Sequence, residues 1–181
     1  MEDENLEETG SRQASLFPSW YAIYTMSRHE AKVEKILQQK GLEVFLPRVI
    51  TGRRRRGRKA ILKLPLFPGY LFVLTGLGTY DYHQILKAPG VVRILGNGRP
   101  IPVPEETVGS VRAIMESDQP FYPWRYLENG KQVRVLDGPL AGTVGIIQGR
   151  KEKKRRLIVS VELFRRSVAV ELDDDAVEHW S

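Results

Sequence analysis

The chain offers few groups that could make or break a covalent bond. Its three histidines, His29, His83 and His179, lie far apart and show no ligand spacing. It has no cysteine, which excludes disulfides, thiolate metal sites and cysteine nucleophiles. Asp173, Asp174 and Asp175 could offer oxygen ligands to a divalent ion. Adjacent side chains on extended backbone diverge, however, so a solvated strand end is the favoured reading. No GxxxxGK[ST] phosphate loop and no GxSxG elbow occurs. Gly96-Asn97-Gly98 lacks the third glycine and following helix of a dinucleotide fingerprint. The expectation is a non-enzyme with no cofactor and no metal.

What remains is the chemistry of docking. Two basic runs stand out, Arg53-Arg54-Arg55-Arg56-Gly57-Arg58-Lys59 and Arg150-Lys151-Glu152-Lys153-Lys154-Arg155-Arg156. Lys plus Arg number 28 and Asp plus Glu 22, a net charge of +6. Five acids and no base fall in residues 1–10 (Glu2, Asp3, Glu4, Glu7, Glu8), so the remaining chain stands at 6 + 5 = +11. Clustered bases favour a polyanion partner, and solvated loop tips are the alternative. The other candidate is apolar. In Tyr70-Leu71-Phe72-Val73-Leu74, Tyr70 and Phe72 share one strand face, and Leu71 and Val73 the other. With both faces filled the strand is central and buried; with the aromatic face open it is a docking surface.

The elements that must position these groups can be read in order. Residues 1–18 are a polar acidic lead-in without the apolar core of a secretory signal. Trp20–Thr25 is a strand. Ser27 and Glu30 have capping-box spacing before a helix with Val33, Ile36 and Leu37 on one face, ending at Gly41. Leu42–Pro47 is a strand leading into a long hairpin with the first basic run at its tip and Ala60–Leu64 as its return arm. The strand at Tyr70–Leu74 follows, then a helix bearing Tyr82, Ile85 and Leu86. Val91–Leu95 is a strand, and a helix after Pro104 carries Val108, Val111 and Met115. The order β-α-β-β-β-α-β-α describes an α+β domain over residues 19–116, an antiparallel sheet flanked by helices. Residues 117–128, with Pro120 and Pro123, read as a linker. Residues 129–181 hold four or five short strands, enough for a small barrel and too few for a sandwich. Gly138, Gly142 and Gly145 there serve the bends. No window approaches the roughly 18 apolar residues of a membrane span.

Trp20-Tyr21 and Leu66-Phe67-Pro68-Gly69-Tyr70-Leu71-Phe72-Val73, followed by Gly130-Lys131-Gln132-Val133-Arg134-Val135-Leu136-Asp137-Gly138-Pro139-Leu140-Ala141-Gly142, resemble the N-terminal domain and KOW motif of the NusG/Spt5 family of transcription elongation factors. Val159–Leu172 is similar to the closing half of that family's SH3-like KOW barrel. The resemblance implies a bacterial elongation or antitermination factor, cytoplasmic and monomeric. It implies that Tyr24, Phe67, Tyr70 and Phe72 dock on the β′ clamp helices of RNA polymerase. Asp81, Tyr82 and His83 match the side facing the β gate loop, without the histidine-threonine-threonine motif of RfaH-type relatives. Arg28, His29 and Lys32 match a surface on the non-template DNA strand, and the Arg53, Arg54, Arg55, Arg56 and Arg58 hairpin can approach upstream DNA. Leu163, Phe164 and Arg166 match the KOW strip that binds Rho or a small-subunit ribosomal protein; the basic residues 150–156 add nascent RNA as a candidate ligand. Gly41–Pro47 and the short basic hairpin look like a specialised, operon-targeted paralogue of the RfaH-like type. The β-branched content of residues 157–172 favours a stable barrel over a refolding helical hairpin. The alternative function is a KOW-type RNA- or ribosome-binding protein without a polymerase role.

Overall fold

The computed structural model describes residues 17–55, 58–96, 98–124, 130–151, 154–161, 164–173 and 177–179. Its N-terminal part is built on a sheet of order β2-β5-β1-β6, with β7 also paired to β1. The strands are β1 (Ser19–Thr25), β2 (Glu43–Phe45), β5 (Tyr70–Thr75), β6 (Val91–Ile94) and β7 (Pro102–Val103). All the pairings are antiparallel; Ile23 faces Leu71 and Tyr24 faces Tyr70 across β1 and β5.

Strand alternation divides this sheet into two apolar faces. Tyr21, Ile23, Leu71 and Val73 pack with Val33 and Leu37 of α1 (Glu30–Gln39) and Ile85 of α2 (Thr79–Leu86). Trp20, Ala22 and Phe72 cluster with Val108, Val111 and Ile114 of α3 (Glu105–Glu116). Both faces of β5 are therefore filled, which answers the question its sequence leaves open.

The expected capping box at α1 does not form. His29 is the N-cap, in helical geometry and without a side-chain cap. Glu30 points into the protein, where its Oε1 accepts the Gly69 N–H at 2.8 Å. A buried carboxylate does more by satisfying a turn amide than by capping an exposed helix end. The helix closes as expected past Lys40: Gly41 adopts φ +83°, its N–H donates to Gln38 O, and Leu42 N–H donates to Leu37 O. These are the paired bonds of a Schellman stop.

Arg53–Arg55 and Arg58-Lys59 of the first basic run lie on a separate two-stranded ribbon, β3 (Arg48–Arg55) with β4 (Arg58–Pro65). At its base Arg48 pairs with Glu34 of α1.

The C-terminal part is a six-stranded antiparallel sheet of order β13-β9-β10-β11-β12-β8. It comprises β8 (Phe121–Trp124), β9 (Lys131–Val135), β10 (Val144–Lys151), β11 (Lys154–Val161), β12 (Arg166–Asp173) and β13 (Val177–His179). The expected fold class, an α+β N-terminal part and an all-β C-terminal part, is the one observed. Two details differ. Phe121–Trp124, inside the stretch read as a linker, is a strand that pairs with β12 despite Pro123. Proline is tolerated there because β8 is an edge strand. Of the second basic run, Arg150 and Lys151 end β10 and Lys154, Arg155 and Arg156 begin β11, while Glu152 and Lys153 lie outside the described residues. Gly145 is required by packing, since a Cβ there would lie 2.7 Å from Ile158 O.

The two parts share one apolar core. Val133, Val135, Leu140, Leu157, Val159, Val168 and Val170 form a single buried cluster with Trp20, Phe67, Phe72 and the inner face of α3. A polar contact fixes the join: buried Ser110 Oγ of α3 accepts the Val144 N–H of β10 at 3.0 Å.

Candidate functional site

The aromatic residues gather at one end of the N-terminal sheet. Tyr24 and Tyr70 are directly opposed across β1 and β5, with ring centroids 5.2 Å apart. The turn before β5 brings Phe67 edge-on to Phe72 at 6.4 Å. That turn is held from two sides. Gly69 donates its N–H to Glu30, and its carbonyl accepts the Thr25 N–H. Gly69 has φ +86°, and a Cβ there would sit 3.2 Å from Tyr24 Cε2. Glycine is needed both for the backbone and for the close approach of the tyrosine.

The four residues assigned to the clamp-helix surface are not equivalent. Phe67 and Phe72 are 1% and 0% exposed and belong to the core. Tyr24 and Tyr70 are half-buried and carry the polar tips. The phenylalanines are a platform, and the tyrosines are the part that can touch a partner.

This face is covered by Phe164, from the turn between β11 and β12. Its ring stacks on Tyr70 with centroids 4.3 Å apart and planes 11° apart. It also meets Phe67 at 5.3 Å and Phe72 at 5.9 Å. Arg165, beside it, adopts φ +53°, an uncommon conformation for a non-glycine residue. The described residues on either side of it are the extended strands β11 and β12.

The remaining expected site residues are dispersed. Arg28 and Lys32 are exposed at the start of α1, Arg28 with φ +62°. His29 Nδ1 lies 3.0 Å from Ser27 O, so the ring bonds its own loop. Arg53, Arg54, Arg55 and Arg58 lie on the outer half of the ribbon, and Arg56 is outside the described residues. Asp81 is committed locally, its Oδ2 accepting the Thr75 hydroxyl at 2.6 Å, while Thr75 Oγ1 accepts the Leu77 N–H. Tyr82 is half-buried against His83, which is exposed. Of the KOW strip, Arg166 is exposed, Phe164 is turned inward, and Leu163 lies outside the described residues.

Sequence reasoning missed three contributors. Arg112 of α3 lays its guanidinium over Trp20 at 5.4 Å and Phe45 at 5.1 Å, and pairs with Glu43 at 3.4 Å. Arg93 sits over the Tyr24 ring at 5.6 Å. Tyr80, 74% exposed, borders a groove with Thr79, His83, Gln84 and Lys87. No spacing signals the first two, because cation–π partners come from different elements. Among the described residues no group of three or more His, Cys, Asp or Glu could hold a metal ion, and no helix is long and apolar enough to cross a membrane.

Residues 18–112, which hold the whole aromatic face, match the family model described as transcription termination factor NusG. The chain belongs to the NusG family. The likeness to its members runs well beyond the matched residues. The transcription termination/antitermination protein NusG of Helicobacter pylori strain J99 is 28% identical over 170 residues, covering 88% of this chain and 97% of that protein. The NusG of Escherichia coli O6:H1 is 30% identical over 172 residues, covering 88% and 94%. A solved structure of Thermotoga maritima NusG superposes with a TM-score of 0.54 at 23% identity, over 91% of this chain and 98% of that one, and shows the shared fold. The fold seen here is therefore that of a NusG N-terminal part followed by a KOW part.

Proposed function

We propose that this NusG-family chain is a bacterial transcription elongation or antitermination factor that docks on RNA polymerase through Tyr24 and Tyr70. The observation that carries the reading is the tyrosine pair, half-buried on a Phe67–Phe72 platform and capped by Phe164 of the C-terminal part. Large rigid aromatics with polar tips bury much area at little entropic cost, as a binding hot spot requires. Docking on the β′ clamp helices uses this face, the α2 side with Tyr82 and His83 faces the β gate loop, and the closed clamp reduces pausing or termination. Arg28, Lys32 and the ribbon arginines add contacts to DNA through their positive charge.

The KOW part acts as the recruiting arm, with Leu163, Phe164 and Arg166 engaging a small-subunit ribosomal protein or Rho, and the basic arms of β10 and β11 offering a surface for nascent RNA. Because Phe164 covers Tyr70, the arm leaves the face before polymerase binds, and one opening step exposes both docking sets. A factor whose docking face is covered engages only where something opens it, which supports an operon-specific paralogue over a housekeeping role. It works in the cytoplasm as a monomer, without cofactor or catalytic step.

Affinity purification of the tagged full chain tests this directly. Polymerase subunits are the expected dominant partners. Recovery of ribosomes or RNA without polymerase would favour the alternative, a KOW-type RNA- or ribosome-binding protein.

A further inference from the structure

Directly paired residues of an antiparallel sheet point to the same face. The register therefore puts Tyr70, Tyr24 and Arg93 in one row across β5, β1 and β6. Ile94, the next residue of β6, turns the other way and packs with Ile23 on the opposite face. Arg93 thus stands on the tyrosine face, at the edge where the sheet ends with β6.

The two ends of the row differ. Phe164 lies on Tyr70, Phe67 and Phe72, at the β5 end. Arg93, at the β6 end, is exposed. Its guanidinium carbon sits 5.6 Å from the centre of the Tyr24 ring, within cation–π range. That contact holds the group in place and occupies none of its N–H donors. Arg112 shows the complete arrangement on the same face of the sheet. Its guanidinium lies over Trp20 and Phe45, and its Nη2 is 3.4 Å from Glu43 Oε1. At Arg93 the ring is in place, but among the described residues no carboxylate pairs with the guanidinium.

We propose that Arg93 is the charged anchor of the docking face and takes a carboxylate of the polymerase helices on which Tyr24 and Tyr70 dock. This rests on the reading of the tyrosine pair as a polymerase-binding surface. A guanidinium presents a planar fork of N–H groups that fits both oxygens of a carboxylate. Tyr24 holds that fork beside the aromatic contact, so less freedom is lost when the ion pair forms. At the rim of the face such a pair steers the encounter and fixes the register of the partner. A helix with a basic side chain at that place meets a like charge and is rejected, so Arg93 sets specificity as well as affinity.

The test measures binding of the full chain to purified RNA polymerase at low and at high salt. Arg93→Lys keeps the charge. Arg93→Met keeps apolar bulk over Tyr24 without the charge, and Arg93→Glu reverses it. Circular dichroism checks that each variant is folded. At low salt Arg93→Met is expected to bind about fivefold more weakly than the parent, with Arg93→Lys between the two. Arg93→Glu is expected to lose roughly tenfold or more. These differences narrow as salt screens the pair. Parent-like binding by folded Arg93→Met and Arg93→Glu overturns the proposal. An equal loss in all three variants at both salt concentrations also overturns it, since Arg93 would then only pack on Tyr24. Tyr24→Ala with Tyr70→Ala is measured beside them. If that variant loses polymerase while the Arg93 variants match the parent, the anchor alone is wrong. If it binds as the parent does, the docking reading fails and the anchor with it.

Discussion

Phe164 lies stacked on Tyr70, ring centroids 4.3 Å apart and planes 11° from parallel. One ring belongs to the turn between β11 and β12 and the other to the start of the central strand β5. Each is a docking residue in the account above, and in this arrangement each is the other's partner. An aromatic pair of this geometry adds about 0.5–1.5 kcal/mol beyond the area it buries. The stack is thus one contribution to closure among several, beside the shared apolar core and the Ser110–Val144 hydrogen bond.

The join between the parts has a second anchor in Ser110 Oγ, which accepts the Val144 N–H. Ser110→Ala leaves that amide without its acceptor, at a cost of about 1–3 kcal/mol. The expected outcome is faster hydrogen exchange at Val144 with the N-terminal sheet amides unchanged. Equal protection in parent and variant would show that the serine does not hold the join.

Glu30 supports the docking face from behind through the Gly69 N–H. Glu30→Gln keeps an acceptor oxygen and is expected to cost little, whereas Glu30→Ala leaves a buried amide unpaired and costs about 1–3 kcal/mol. Denaturant unfolding of the two variants checks this. Equal loss in both would mean that the carboxylate charge matters more than the hydrogen bond.

Gly69→Ala forces a left-handed conformation on a residue with a Cβ and presses it to 3.2 Å from Tyr24 Cε2. The left-handed conformation alone costs about 1–2 kcal/mol. The expected result is a lower melting temperature together with a displaced Tyr24, read as weaker polymerase binding. Parent-like stability would contradict the packing described for the turn.

The ribbon charges predict a salt dependence. Each arginine that neutralises a duplex phosphate contributes about 0.9 to the slope of log affinity against log salt. Replacing Arg53, Arg54 and Arg55 with glutamine is expected to flatten that slope by roughly 2 to 3 if all three reach phosphates. An unchanged slope would remove the ribbon from the nucleic-acid contact.

Much of this arrangement was legible in the sequence, and the exceptions have physical causes. Alternation in Tyr70–Leu74 placed Phe72 and Leu71 on opposite faces, as observed. It could not tell that the face of Phe72 is covered, because the covering ring comes from a segment far along the chain. The capping box failed for the same reason: Ser27 and Glu30 have the right local spacing, but the Gly69 turn, distant in sequence, claims the carboxylate. Phe121–Trp124 looked like a linker because Pro120 before it and Pro123 within it suppress strand signals, and only the free edge of β12 makes it a strand. Arg112 carries no local pattern at all, since its partners Trp20 and Phe45 lie on two other strands.

The most direct measurement compares binding of the purified full chain to RNA polymerase for the parent, Tyr24→Ala with Tyr70→Ala, and Phe164→Ala. The tyrosines are chosen because Phe72 is fully buried, and its loss would test folding instead. Circular dichroism confirms that each variant is folded. The tyrosine pair variant is expected to lose polymerase, and Phe164→Ala, freed of its cover, to bind it several-fold more tightly. A folded Tyr24, Tyr70 double variant that binds polymerase as well as the parent would contradict it.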